Sequence, residues 1–365
     1  MKKFLSIFAF MIMAFLLVAC GGDEKEWKIV MITDVGTITD KSFNQGTYEG
    51  VEKFAKEFEI DYSYYRPSDS TQKDYEEAID LVVADGANII VTPGFLFETA
   101  IYTSQTKYPN VRFILIDGEP HDGSYNYKTE SNTVNILFQE EQSGFLAGYA
   151  AVADGYTNIG FMGGMAVPAV KKFGIGYIAG AYYAANELEK EFTFDANRYE
   201  YLGNFDNDPA HTTRAAGWYD AGVEVIFAAA GGAGNAVMAA AEQKEKKVIG
   251  VDIDQSSESN TVISSAMKEL GIAVYQELDA LINQDKFNGG KTIVKGAEQD
   301  SIGLPGGSSF KFTTFNKTQY DAVYKLLKDK TVVVPQTMAQ LTTFLKDHAG
   351  DPSAAALVAK TEPAT

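Results

Sequence analysis

Three side chains suited to holding a small polar molecule stand no more than ten positions apart: the carboxylate of Asp34, the ring of Phe43 and the carboxamide of Asn44. A carboxylate accepts paired hydrogen bonds from vicinal hydroxyls or ring N–H groups. An aromatic face stacks on a flat ring, and an amide offers a donor beside an acceptor. Asp34 closes the apolar run KIVMI, and a capping segment, TDKS, precedes Phe43. The pattern is that of a strand turning into a helix, and open parallel sheets bind ligands at the carboxyl ends of their strands. Asp117 closes VRFILI and Asp252 closes KVIGV in the same way. Pro93-Gly94, Gly163-Gly164 and Gly231-Gly232 close three further runs. Glycine there lets a backbone approach a ligand closely.

Catalytic chemistry is poorly represented. The histidines are His121, His211 and His348, and none stands in a metal-ligand spacing. HExxH, Gly-x-Ser-x-Gly and Walker motifs do not occur. Gly231-Gly232-Ala233-Gly234 departs from the dinucleotide pattern and reads as a close strand–helix turn. Asp252-x-Asp254 lacks the rest of a calcium loop. The chain is therefore expected to be a binding protein rather than an enzyme, with no metal and no cofactor.

The elements that would position these residues alternate. Apolar strands and amphipathic helices follow one another over 28–138, and again from a helix at 140–153 to a strand at 247–251. Such alternation gives parallel sheets covered on both faces. Two sheets in one chain suggest two lobes, with their strand ends facing a common cleft. Small residues at Ser143, Gly144 and Gly148, and at Gly174, Gly176 and Gly180, suit close helix packing. Beyond Asp252 the order breaks: a strand at 261–265, a helix opened by Lys268, a glycine-rich charged stretch at 287–299, a strand at 310–315 and helices at 319–328 and 335–348. The expected lobes are 27–135 with 258–297, and 136–257 with 298–348, followed by a loose tail at 349–365.

Residues 1–19 read as a secretory signal, with a basic start and an apolar core too short to span a bilayer comfortably. Leu17-Val18-Ala19-Cys20 resembles a bacterial lipobox, so Cys20 is expected to carry the lipid and residues 20–26 to form a tether. Cys20 is the single cysteine, which excludes an internal disulfide. Removing residues 1–19 from 365 would leave 346, enough for two domains. The net charge is −18, and −20 once Lys2 and Lys3 are gone. That surface repels nucleic acid and anionic lipid and favours a neutral or cationic ligand.

The segments TDVGTITDKSFNQGTYEG, ILIDGEP, NIGFMGG, GIGYIAG, VEVIFAAAGGAGN and GVDIDQ, with Lys268 beyond them, occur in that order. Together with the lipobox they resemble the basic membrane protein family of substrate-binding lipoproteins, the purine nucleoside receptor group, over about residues 27–335. The resemblance implies a type I periplasmic-binding-protein fold: two Rossmann-like α/β lobes joined by three crossings. It implies a monomeric receptor, lipid-anchored on the extracytoplasmic face of the cell membrane. Such a receptor delivers inosine, guanosine or adenosine to an ABC permease and its ATPase. Position by position, Phe43 matches the ring that stacks on the purine, with Phe227 as the opposite face. Asp34, Asn44 and Asp117 match polar residues near the base, and Gly231 and Gly232 line the sugar side. Asp252 matches the carboxylate on the ribose hydroxyls, and Lys268 a ribose-contacting lysine. DQSSESN just after Asp252, and NFDNDPAHTTRAA, depart from the usual family pattern. A sensory or regulatory binding protein of the same fold, not coupled to import, is the alternative.

Overall fold

The computed structural model describes residues 26–349. The chain opens with β1 (Lys28–Ile32), α1 (Phe43–Glu57), β2 (Asp61–Tyr65), α2 (Gln72–Ala84), β3 (Ile89–Pro93), α3 (Glu98–Lys107), β4 (Arg112–Ile116) and β5 (Thr133–Phe138). A second run follows: α4 (Glu140–Ala153), β6 (Ile159–Gly163), α5 (Pro168–Glu187), β7 (Tyr199–Tyr201), α6 (Pro209–Asp220), β8 (Val225–Ala229), α7 (Ala233–Lys244), β9 (Lys247–Asp252) and β10 (Val262–Lys268). The described residues end with α8 (Leu270–Ile282), β11 (Lys291–Lys295), β12 (Ile302–Gly303), α9 (Lys317–Lys328) and α10 (Met338–Ala349).

The strands form two six-stranded sheets, in the orders β11-β5-β4-β3-β1-β2 and β12-β10-β9-β8-β6-β7. Every pairing is parallel except that of β10 with β12. Central strands such as IIVTP and VIFAA are buried along their whole length, as strands covered on both faces must be. This is the expected α/β architecture of a periplasmic binding protein, with two lobes. α4 and α5 cross so closely that a Cβ on Gly148 would lie 1.9 Å from the Tyr177 carbonyl oxygen.

The chain passes between lobes near Gln139, Glu269 and 296–301. Five expectations are corrected. The return to the first lobe was expected at 258, but β10 pairs with β9 through Met267 and Asp252, so 262–268 belongs to the second sheet. Likewise β5 extends the first lobe to 138 rather than 135. The charged stretch 287–299 contains β11, an edge strand whose mostly exposed residues pair with β5 and leave no hydrophobic signal. Residues 310–315 form no strand; Phe310, Phe312 and Phe315 pack their rings on one another instead. Lys268 ends β10 and does not open a helix. Cys20, the signal and tether, and the tail beyond 349 lie outside the described residues.

Candidate functional site

The strand ends of both lobes converge on a cavity of about 340 Å³. Spatial order follows sheet order. In the first lobe Asp117, Gly94, Asp34 and Arg66 follow β4, β3, β1 and β2. In the second, Lys268 ends β10, Asp252 ends β9, and Gly231, Gly164 and Phe205 follow β8, β6 and β7. The crossings lie beside β5, β10, β11 and β12, so each row runs from the hinge outward to the cleft mouth.

At the hinge end Lys268 is buried, and three carboxylates surround it. Its Nζ donates to Asp117 Oδ2 at 2.5 Å and lies 3.4 Å from Asp252 Oδ1 and 3.8 Å from Glu140 Oε1. Lys172 supports Glu140 from behind at 3.3 Å. Burial works against the Lys268 charge, but Asp117, Asp252 and Glu140 outweigh it and raise its pKa. Burial pushes Asp117 up to about 6 against the pull of Lys268. Asp252 also accepts from Ser42 Oγ at 2.5 Å, a direct bond between lobes, and Gln255 Nε2 donates to the Lys41 carbonyl at 2.6 Å beside it. Asp117 and Asp252 have φ of +56° and +65°, a left-handed backbone that turns each carboxylate inward just past its strand.

Towards the mouth, Asp34 Oδ1 accepts from the Gly36 amide at 2.8 Å and from Asn44 Nδ2 at 2.9 Å. Asn44 Nδ2 also donates to Asp40 Oδ2 at 3.0 Å. Two carboxylates therefore fix the amide's orientation. Burial pushes Asp34 up to about 6, although both bonds favour its charged form, and burial raises Asp40 as well. Two buried acceptors, Asn44 Oδ1 and Asp117 Oδ1, have no hydrogen-bond partner among the described residues.

The Phe43 ring stands between these ends. Lys268 Nζ sits 4.6 Å from its centroid, a cation–π distance, and 5.5 Å from that of Phe173. Phe227 is absent from the cavity wall. It is fully buried in the second lobe against Phe161, Phe173 and Tyr177, because its strand position faces α5 rather than the cleft. The second lobe lines the cavity with Phe205 and Phe173 instead. Glycines make room for Phe205: a Cβ on Gly164 would meet its Cδ1 at 2.3 Å, and one on Gly231 would meet it at 3.3 Å. Sequence reading missed Phe205 because it lies in a polar loop. Its signal was NFDND, two residues after the short strand YEY. Asp34, Phe43, Asn44, Asp117, Gly231, Gly232, Asp252 and Lys268 all line the cavity; Phe227 alone of the expected ligand residues does not.

None of the three histidines lines the cavity. Among the described residues no cluster of three His, Cys, Asp or Glu could hold a metal ion, and no helix is long and apolar enough to cross a membrane.

Comparison with known proteins gives the fold and the family. Among solved structures, an ABC-transporter solute-binding protein from Aeropyrum pernix superposes with a TM-score of 0.75 at 22% identity. The match covers 90% of this chain and 99% of that one. In sequence, basic membrane protein B of Borreliella burgdorferi is 29% identical, over 88% of this chain and 92% of that protein. The ABC transporter nucleoside-binding protein BmpA of Lactococcus lactis subsp. cremoris is 27% identical, over 78% and 83% respectively. The family model for PnrA-like ABC transporter substrate-binding proteins matches residues 27–337, and the chain belongs to that family.

Proposed function

We propose that this protein captures a purine nucleoside between its lobes and delivers it to an ABC importer. It would work outside the cytoplasm, held at the membrane by lipidated Cys20. The observation that carries the reading is the division of the cleft. A charged triad of Asp117, Lys268 and Asp252 lies at the hinge end, and aromatic rings with an acceptor-rich edge lie towards the mouth. A nucleoside has the same division. Its ribose offers vicinal hydroxyls to Asp252 and Lys268, and its base offers a flat ring to Phe43 and Phe205 and N–H groups to Asp34. The unpartnered acceptors Asn44 Oδ1 and Asp117 Oδ1 suit the same ligand, since buried polar atoms are ordinarily paired. The nucleoside-binding name of the Lactococcus relative is in keeping with this.

Titration calorimetry with inosine, guanosine, adenosine and uridine tests the proposal. Purine nucleosides should bind and uridine should bind more weakly. If no nucleoside binds at millimolar concentration, the reading is wrong. Loss of nucleoside uptake on deleting the gene, restored by the wild-type chain but not by Cys20→Ser, would support import from a membrane anchor.

A further inference from the structure

Arg66 follows β2, the strand farthest from the hinge in the first sheet. It and Lys268 are the basic residues among those lining the cavity. Its Nη2 donates to the Val35 carbonyl at 3.2 Å, which ties the guanidinium to the loop that carries Asp34. A guanidinium has five N–H donors, and this bond uses one. Its neighbour Asp34 has Oδ1 occupied by Gly36 and Asn44, while Oδ2 faces Gly94 beside the Phe43 edge. The mouth end of the floor therefore presents an acceptor next to a cationic donor.

On the reading proposed above, which this step depends on, the ribose lies at the hinge end. The base then points outward with the edge opposite its glycosidic nitrogen leading. Sheet spacing sets the scale. Asp117 and Arg66 lie at strand ends three steps apart, about 14 Å at about 4.8 Å per strand. That is a spacing of backbones, into which the two side chains reach from either end. A purine nucleoside extends further along this floor from its sugar end than a pyrimidine nucleoside does.

We infer that Arg66 is a specificity residue that reads the C6 oxygen of a 6-oxopurine nucleoside while Asp34 accepts its N1–H. A lactam presents N–H beside C=O and matches the acceptor–donor pair. Adenine presents the reverse, with a bare N1 against Asp34 and an amino group against Arg66. The ligand class is therefore the inosine and guanosine type. Arg66 is largely exposed, so its contribution is that of a screened contact rather than a buried one.

The test is calorimetry with inosine, guanosine, adenosine and purine riboside, which has no C6 substituent. The wild-type chain should bind the two 6-oxopurines about tenfold more tightly than the other two. Arg66→Ala should reduce the inosine-to-adenosine affinity ratio about tenfold, and Arg66→Lys should retain part of it. A uniform loss across all four ligands, or an unchanged ratio, overturns the assignment while leaving nucleoside capture intact. Binding of none of the four by the wild-type chain overturns nucleoside capture itself, and this inference with it.

Discussion

Replacing Asp252 separates the sugar's contribution from the base's. The carboxylate is 6% exposed. Its Oδ1 faces Lys268 and its Oδ2 accepts from Ser42, so each oxygen keeps one lone pair for a ribose hydroxyl. Hydrogen bonds to a charged group contribute about 1.5–3 kcal/mol each. Two of them set an upper bound near 6 kcal/mol. Part of that is lost when Asp252 gives up water or protein partners, which leaves about 3 kcal/mol, or roughly two orders of magnitude in Kd. Asp252→Ala should therefore weaken inosine about a hundredfold and hypoxanthine by only a few fold. Asp252→Asn should cost less, since it keeps one acceptor and tolerates the φ of +65° better than alanine. Because Asp252 also joins the lobes through Ser42, Ser42→Ala is the control. It removes that bond without touching the sugar and should weaken base and nucleoside by the same small factor. Calorimetry with inosine, 2′-deoxyinosine and hypoxanthine reads all three variants. Equal losses for inosine and hypoxanthine in Asp252→Ala would refute the ribose assignment and leave Asp252 as a tie between the lobes.

Burial pushes Asp34 up to about 6, and on the proposed function its ionised form would accept the ligand's N–H, so affinity should fall about tenfold between pH 8 and pH 5. Asp34→Asn should reduce that dependence in calorimetry run at both pH values, leaving the part that Asp117 contributes, since burial pushes it up to about 6 as well. Lys268→Met would strand three carboxylates, and breaking a buried ion pair costs about 3–5 kcal/mol. Asp117 already sits above its unfolded pKa, so protonation on lowering the pH through about 6 favours the folded state. The melting deficit of Lys268→Met should accordingly be smaller at pH 5 than at pH 7.5, and an equal deficit would contradict the triad account. Phe205→Ala should weaken nucleoside binding about tenfold with little change in melting temperature. Phe227→Ala should do the opposite, losing about 3–5 kcal/mol of stability through a core cavity. Paired melting and binding curves distinguish the two.

The features legible in the sequence were those that repeat. Strand–helix alternation gave both sheets, and the residue closing each apolar run led directly to Asp34, Asp117, Asp252 and Gly231-Gly232. What escaped depends on which face a side chain takes or which strand it joins. Phe227 and the cleft glycines share one apolar run, and only pairing with β6 and packing under α5 shows that its ring points away from the cleft. β11 carries no hydrophobic run because it pairs along one edge only. The return crossing at 269 was hidden because TVISSAM reads equally well as the last strand of one lobe or the first of the other. Arg66 and Phe205 sit in polar loops, where function depends on the sheet order that brings them together and not on any local pattern. Glu140 looked like an ordinary helix-start residue until Lys268 and Lys172 were placed on either side of it.

Lys268 is the last residue of β10, one position before a crossing at Glu269, so the cation proposed to meet the sugar lies close to where the two lobes join. When two bodies rotate about an axis, points near it hardly shift and distant points sweep through large arcs. The triad would survive opening nearly intact, while Arg66 and Phe205 separate widely. Capture then has a time order. On the proposed function the sugar would be caught first by a site that is already assembled, and the base would be judged second, by parts that meet only if the ligand lets them. A ligand with the right sugar and the wrong base would occupy the cleft without fully shutting it. On that reading the lobe arrangement that an importer meets would depend on the base, although the sugar would do the anchoring.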